Sequence, residues 1–433
     1  MKSGKLSVVP KYFLVPFILI TICFALWGFA NDITNPMVKA FSRILMMSNF
    51  EGSLVQFAFY GGYFAMAFPA ALFIKRFSYK AGILVGLGLY AGGALLFIPA
   101  SMAMTFWPFL ISYFILTCGL SFLETSANPY ILSMGPQETA TRRLNLAQAF
   151  NPIGSLMGMF TAQQLILARL NPATAEERAV MDPGVLNEVT LSDLAIIRYP
   201  YVAIALVILV VFVIIALAKL PKNEDKDKEL HFMVTVRRLL KNKRYYEGVI
   251  AQFFYVGVQI MVWTFIIHYA TSELGMTEAE AQGYNIIAMV IFVTSRFIST
   301  FLLKYISPGH LLMWLAIGGM VTTVGAIVIP GMAGLYSLIG ISACMSLMFP
   351  TIYGIALHGV GEDAKIGAAG LIMAILGGSV MPPLMGRVID MGTIFDVSAV
   401  RISFLIPLIC FVVITMYGYR SCRMHVSGET AAC

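Results

Sequence analysis

The sequence predicts an all-α membrane protein with twelve transmembrane helices arranged as two six-helix halves. Three observations carry that expectation. Hydrophobic residues make up 59% of the 433 and charged residues only 12%, with a mean hydropathy of +0.83; no water-soluble domain could hide so much apolar surface. The apolar residues fall into segments of about 20, the length a helix needs to cross a hydrocarbon core of roughly 30 Å. The largest basic cluster, Lys222, Lys226, Lys228, Arg237, Arg238, Lys241, Lys243 and Arg244, follows the sixth segment and divides the chain.

In order, the segments lie at 12–34, 52–75, 81–101, 105–130, 145–168, 199–220, 246–270, 283–304, 310–330, 333–357, 367–390 and 402–420. Each must be helical, because lipid offers no partner to an open backbone group. The expected organisation is a first bundle over 1–220, a basic linker over 221–245 and a second bundle with a short tail over 246–433. If both termini are cytoplasmic, 21 of the 29 Lys and Arg residues fall on the inner side and 7 on the outer side, with Arg296 inside the eighth span. That bias sets the expected orientation. The net charge of +7 then reflects contact with the inner leaflet of the bilayer; the basic residues lack clustered aromatic partners, so no nucleic-acid partner is expected.

Further features support this organisation. The opening Met-Lys-Ser-Gly-Lys runs straight into the first apolar segment, which is expected to act as the insertion signal without cleavage. The six cysteines (Cys23, Cys118, Cys344, Cys410, Cys422 and Cys433) are scattered, with no CxxC or metal-ligand spacing, so no disulfide framework, metal or cofactor is expected. The loops after spans two and eight, Lys75-Arg76-Phe77-Ser78 and Lys304-Tyr305-Ile306-Ser307, share a basic residue followed three positions later by Ser. Such a trace of internal repetition suits a six-plus-six transporter.

Glu124 is the most informative single residue. It lies in Leu123-Glu124-Thr125-Ser126-Ala127-Asn128-Pro129, at the end of an apolar run. A carboxylate inside a membrane costs at least about 2.5–3.5 kcal/mol and needs a partner, a wet cavity or a proton, so it points to ion or proton translocation. Asp32 is the second such acid, in Asn31-Asp32-Ile33-Thr34-Asn35-Pro36; it reads either as an interfacial acid at a helix end or as part of a polar cluster with Asn31 and Asn35. Those two amides are four residues apart and share a helix face. Gln148 and Asn151, three apart, are expected on one face of span five, where they could bind sugar hydroxyls or a neighbouring helix. Gln252, Tyr255, Gln259 and Trp263 repeat at i, i+3, i+7 and i+11 along span seven, a polar–aromatic stripe suited to sugars or to packing.

Arg142 and Arg143 are read as inner-surface gating or anchoring groups, Gly61-Gly62 and Gly377-Gly378 as close-contact positions, and Pro382-Pro383 as a kink or break in span eleven. Arg296 is expected to sit in a polar bond network, and His268 and His358 near span ends. No HExxH, GxSxG or GxxxxGK[ST] occurs, so an enzyme or ATP-driven pump is not expected.

At these positions the sequence resembles the fucose permease family, the sugar–proton symporters of the major facilitator superfamily. The resemblance runs nearly the length of the chain. It is carried by Ala30-Asn31-Asp32-Ile33, Phe73 to Gly82, Leu123 to Pro129, Arg143 to Asn151, Ala251 to Gln259 and Phe349-Pro350-Thr351-Ile352, the strings around Glu124 and Gln148 being the most specific. The residues after Asp32, Thr34 to Met37, depart from the fucose-type pattern. The resemblance implies the major facilitator fold: two pseudo-symmetric six-helix bundles alternating between outward- and inward-open states. It places the essential acid pair on Asp32 and Glu124 and sugar contacts on Gln148 and Asn151.

The expected function is proton-coupled import of L-fucose or a close monosaccharide through a bacterial inner membrane, without an obligatory protein partner. Asn31, Asn35, Asn128, Gln148, Asn151, Gln252, Tyr255, Gln259 and Trp263 are the candidate sugar contacts. Alternatives are a glucose/galactose transporter of the same family, a drug or metabolite exporter of the same fold, and a sugar sensor that binds without transport.

Overall fold

The computed structural model describes residues 7–46, 49–221, 232–394 and 397–429; within its helices, the side chains of 34–39, 42–43, 49–53, 56–57, 175–176, 232, 278–279 and 423–429 lie outside the description. Nearly all of it is helix. The first stretch holds α1 (Leu14–Ile44), α2 (Asn49–Arg76), α3 (Tyr79–Leu95), α4 (Phe97–Ala103), α5 (Phe106–Ser133), α6 (Ala140–Gln148), α7 (Asn151–Phe160), α8 (Ala175–Ala179) and α9 (Pro183–Leu217). The second holds α10 (Phe232–Lys241), α11 (Lys243–Leu274), α12 (Glu278–Leu302), α13 (Pro308–Val328), α14 (Met332–Met345), α15 (Met348–Ala356), α16 (Ala364–Met373), α17 (Gly377–Ile389), α18 (Ala399–Ser403) and α19 (Leu405–Glu429). A two-stranded antiparallel hairpin, β1 (Thr393–Ile394) and β2 (Val397–Ser398), pairs Thr393 with Ser398 between α17 and α18.

Ten helical stretches among the described residues are long and apolar enough to cross a membrane. The two remaining expected spans fall on α2 and on the stretch from α6 to α7. The latter is not one straight helix: α6 ends at Gln148, α7 starts at Asn151 with Pro152 in its first turn, and a π-helical turn follows over Thr161–Ile166. Proline suits a helix start, where its missing N–H would be unpaired in any case. Gln148 and Asn151, expected on one face of span five, thus stand on either side of the Ala149-Phe150 interruption. In span eleven the irregularity is a 3-10 turn over Ala374–Leu376, and α17 continues through Pro382 and Pro383. The break precedes the prolines rather than falling on them.

The described residues form two compact units. One comprises residues 11–130 and 150–221. Within it, α1 packs on α7 and α3 on α9. The α1–α7 crossing is close because Gly28 and Gly154 face backbone: a Cβ on Gly28 would strike the Asn151 carbonyl, and one on Gly154 the Ala25 carbonyl. Small residues of this kind allow membrane helices to approach. The same unit holds a buried ion pair between Arg178 and Asp193. Arg178 also donates to the Ala173 and Asn171 carbonyls, and Asp193 accepts from the Asn171 N–H at 2.9 Å, which ties down the loop around α8.

The other unit comprises residues 7–10, 131–149, 232–394 and 397–429. Here α13 packs on α14 and α19, α11 on α15, α17 and α19, and α6 on α15. Arginines serve as helix-end staples. Arg143 donates to the carbonyls of Ile131 and Leu132 in the last turn of α5, at 2.8 and 2.6 Å. Arg401 donates to those of Ile327 and Val328 at the end of α13, at 2.9 and 2.8 Å. Cations are favoured at helix C-termini, where carbonyls lack intrahelical partners.

Candidate functional site

In the first unit the polar groups gather around the two acids. The α1–α7 crossing brings Asp32 beside Ser155, and Tyr60 of α2 faces the same carboxyl. Ser155 itself donates to the Gly28 carbonyl at 3.3 Å, so the glycine that permits the crossing also fixes the hydroxyl beside Asp32. Asp32 and Asn31 are half-buried, and the Asn31 Oδ1 has no hydrogen-bond partner among the described residues. Asn35 lies in α1, but its side chain is outside the described residues.

Glu124 is 1% exposed on α5. Tyr63 of α2 stands beside it, with Trp27 of α1 next to Tyr63. Its Oε2 has no hydrogen-bond partner among the described residues, nor does the Glu124 carboxyl take part in an ion pair there. Asn128, one turn on, is fully buried. Asn151 at the start of α7 donates to the Phe24 carbonyl at 3.2 Å, which is the helix-bonding role weighed for it above.

The sequence reading missed Tyr60, Tyr63 and Ser155. Its signal for the two tyrosines was present in Tyr60-Gly61-Gly62-Tyr63. The glycines were read as contact residues, while the hydroxyls at i and i+3 flanking them share the same face.

The second unit carries the stripe. Because α11 is uninterrupted, Gln252, Tyr255, Gln259 and Trp263 fall within an arc of about 80° at 3.6 residues per turn. Gln252 is fully buried, and neither atom of its side-chain amide has a hydrogen-bond partner among the described residues. Leaving a buried polar group unmatched costs about 1–3 kcal/mol, so this amide is a candidate for a partner from outside the described residues. Gln259 and Trp263 are half-buried; the Trp263 Nε1 is likewise unpartnered among the described residues, and its ring meets Phe292 edge-on at 5.0 Å between centroids. Tyr255 is engaged: its hydroxyl donates to the Met345 carbonyl at 3.2 Å.

Arg296 of α12 is 4% exposed and lies 4.7 Å from the Phe292 ring centroid. It donates to the Ser346 carbonyl, at the α14–α15 break, and to the Gln148 carbonyl at the end of α6, the latter at 3.0 Å. The buried Gln148 is thus held through its main chain. The Asn145 side chain donates to the Thr351 hydroxyl at 3.0 Å between α6 and α15. Arg296 does sit in a polar bond network, as expected, and its partners are carbonyls at two helix interruptions.

Comparison with known proteins gives a consistent result. The sequence model of the Major Facilitator Superfamily matches residues 20–382. The chain is 55% identical to the L-fucose-proton symporter of Haemophilus influenzae, over 96% of this chain and 99% of that one. It is 35% identical to the L-fucose-proton symporter of Escherichia coli, over 95% and 94%. Its fold matches the crystal structure of the major facilitator transporter FucP in the outward conformation with a TM-score of 0.88 and 35% identity, covering 95% of this chain and 99% of that one.

Proposed function

The chain belongs to the Major Facilitator Superfamily, and we propose that it imports L-fucose together with protons across a bacterial inner membrane. The observation that carries this reading is the 55% identity, over nearly the full length of both chains, to the L-fucose-proton symporter of Haemophilus influenzae. Asp32 and Glu124 are the proton-coupling groups. Asn31, Asn35, Asn128, Gln148, Asn151, Gln252, Tyr255, Gln259 and Trp263 are the groups available to hydroxyls and to the C–H faces of the sugar. The mobile halves are 1–220 and 246–433, joined by 221–245, with both termini cytoplasmic as the basic-residue bias supports.

The chemistry follows from the acids. A carboxylate at the Glu124 position, buried and without an ion-pair partner among the described residues, is costly while charged, and a proton removes that charge. Proton and sugar then make a neutral loaded carrier that can change its access from one side of the membrane to the other. Sugar release wets the acid, the proton leaves inward, and the empty carrier resets. A transporter of this kind gains nothing from binding unless the loaded and empty states differ in which conformation they favour.

The test is uptake of labelled L-fucose into proteoliposomes. Accumulation should require an inward-directed proton gradient and collapse with a protonophore. Unlabelled L-fucose should compete far better than glucose or galactose. Accumulation indifferent to the gradient would remove the coupling, and equal competition by glucose or galactose would reassign the substrate.

A further inference from the structure

We propose that α10 is an interfacial anchor that binds anionic phospholipid headgroups on the linker side of the membrane. The helix is two-faced. Thr235 and Leu239 are 2% and 4% exposed, turned toward α11 and α16, on which α10 packs. Arg238 makes a two-pronged ion pair with Asp363, which also accepts a hydrogen bond from the Thr235 hydroxyl at 3.4 Å. The carboxylate bonded to Arg238 raises the pKa of its guanidinium. These contacts fix which way the helix faces.

The opposite face has no cover among the described residues. Met233, Val234 and Leu240 are 77%, 62% and 63% exposed, and Arg237 and Lys241 are exposed between them. At 3.6 residues per turn these five residues share an arc of about 120°. Three aliphatic side chains interleaved with two cations form the pattern of a helix lying in a membrane surface, apolar groups dipping toward acyl chains and bases reaching phosphate.

Two features select a lipid over a protein or nucleic-acid partner. Residues 231–246 contain five basic residues and no acid, which complements an anionic leaflet. In addition, α10 ends at Lys241 and the span α11 begins at Lys243, so the face continues directly into a helix that enters the bilayer. The alternation of base and aliphatic offers no aromatic platform for bases of a nucleic acid.

The experiment labels Leu240→Cys with an environment-sensitive fluorophore in the full-length protein, with the unsubstituted protein as the labelling background. The protein is reconstituted in phosphatidylcholine vesicles with or without phosphatidylglycerol. Brominated phosphatidylglycerol should quench the probe several-fold more strongly than brominated phosphatidylcholine at equal mole fraction. Arg237→Gln with Lys241→Gln should erase that preference, while the charge-keeping Arg237→Lys with Lys241→Arg retains it and controls for folding. Equal quenching by both lipids would overturn the headgroup assignment. Quenching by aqueous iodide with no effect of either brominated lipid would place the face in water or against a protein and overturn the anchor altogether.

Discussion

The two described units solve the problem of polar groups in a membrane protein in opposite ways. In the unit of residues 11–130 and 150–221, titratable groups come together from several helices: Asp32 from α1, Glu124 from α5, and around them Tyr60 and Tyr63 from α2 and Ser155 from α7. In the other unit, neutral amides and aromatics lie along the single helix α11, and two buried arginines, Arg143 and Arg296, are committed to main-chain carbonyls. A group that must gain and lose a proton is placed where its neighbours are hydroxyls that tolerate both states. A permanent cation is placed where carbonyls satisfy it and it can hold two helix interruptions. The difference supports the proposed division of labour, in which one unit would respond to protons and the other would offer a fixed, neutral face to a ligand.

The sharpest way to break that comparison is Glu124→Gln. Gradient-driven accumulation should fall to the level of empty liposomes, while fucose counterflow, which needs no net proton movement, persists. Wild-type accumulation in this variant would end the claim that the acid-bearing unit is the responsive one. Asp32→Asn extends the test: accumulation is expected to be crippled with equilibrium affinity nearly unchanged, because the amide mimics the protonated acid. A large affinity loss with coupling intact would make Asp32 a sugar ligand instead.

Arg296→Met probes the fixed unit. It strands the Ser346 and Gln148 carbonyls, at about 1–3 kcal/mol for each buried acceptor left unmatched. A clear drop in thermal unfolding temperature in detergent is expected; unchanged stability would show that the staple carries no strain-bearing role.

Gln252→Leu should act in the opposite sense. The amide it removes has no partner among the described residues, so stability should hold or rise. Fucose affinity should weaken by roughly 2- to 12-fold, the equivalent of one neutral hydrogen bond of about 0.5–1.5 kcal/mol. If instead stability falls and affinity does not, the stripe is packing.

The smallest effect is expected for Asn151→Ala. Its donated bond to Phe24 contributes about 1 kcal/mol, so the α1–α7 crossing should loosen modestly. Titration of tryptophan fluorescence beside a thermal melt separates this from direct loss of sugar contact.

How much of this was legible beforehand depends on whether the cause was local. Span lengths, the isolation of Glu124 in an apolar run and the period of the α11 stripe are set by residues near one another in sequence, and all were readable. The interruption between Gln148 and Asn151 was half-readable: Pro152 announces a helix start, but a single apolar run concealed it. The neighbours of Glu124 and the carbonyl partners of Arg296 come from helices far away in the chain. They depend on close crossings such as that of Gly28 and Gly154, which a hydropathy pattern does not encode.

The arginine staples bear on any attempt to invert the protein in the bilayer by moving charges. Arg178 and Arg401 are among the few bases on the side expected to be outer, and each is engaged by the fold: one by Asp193 and two loop carbonyls, the other by the end of α13. Deleting them would widen the inner-side bias, not flatten it, and would also damage the folded state, so a topology assay would mix the two effects. The bases of the linker segment 222–230, on the side expected to be inner and outside the described residues, are the substitutions that would flatten the bias in a charge-inversion series.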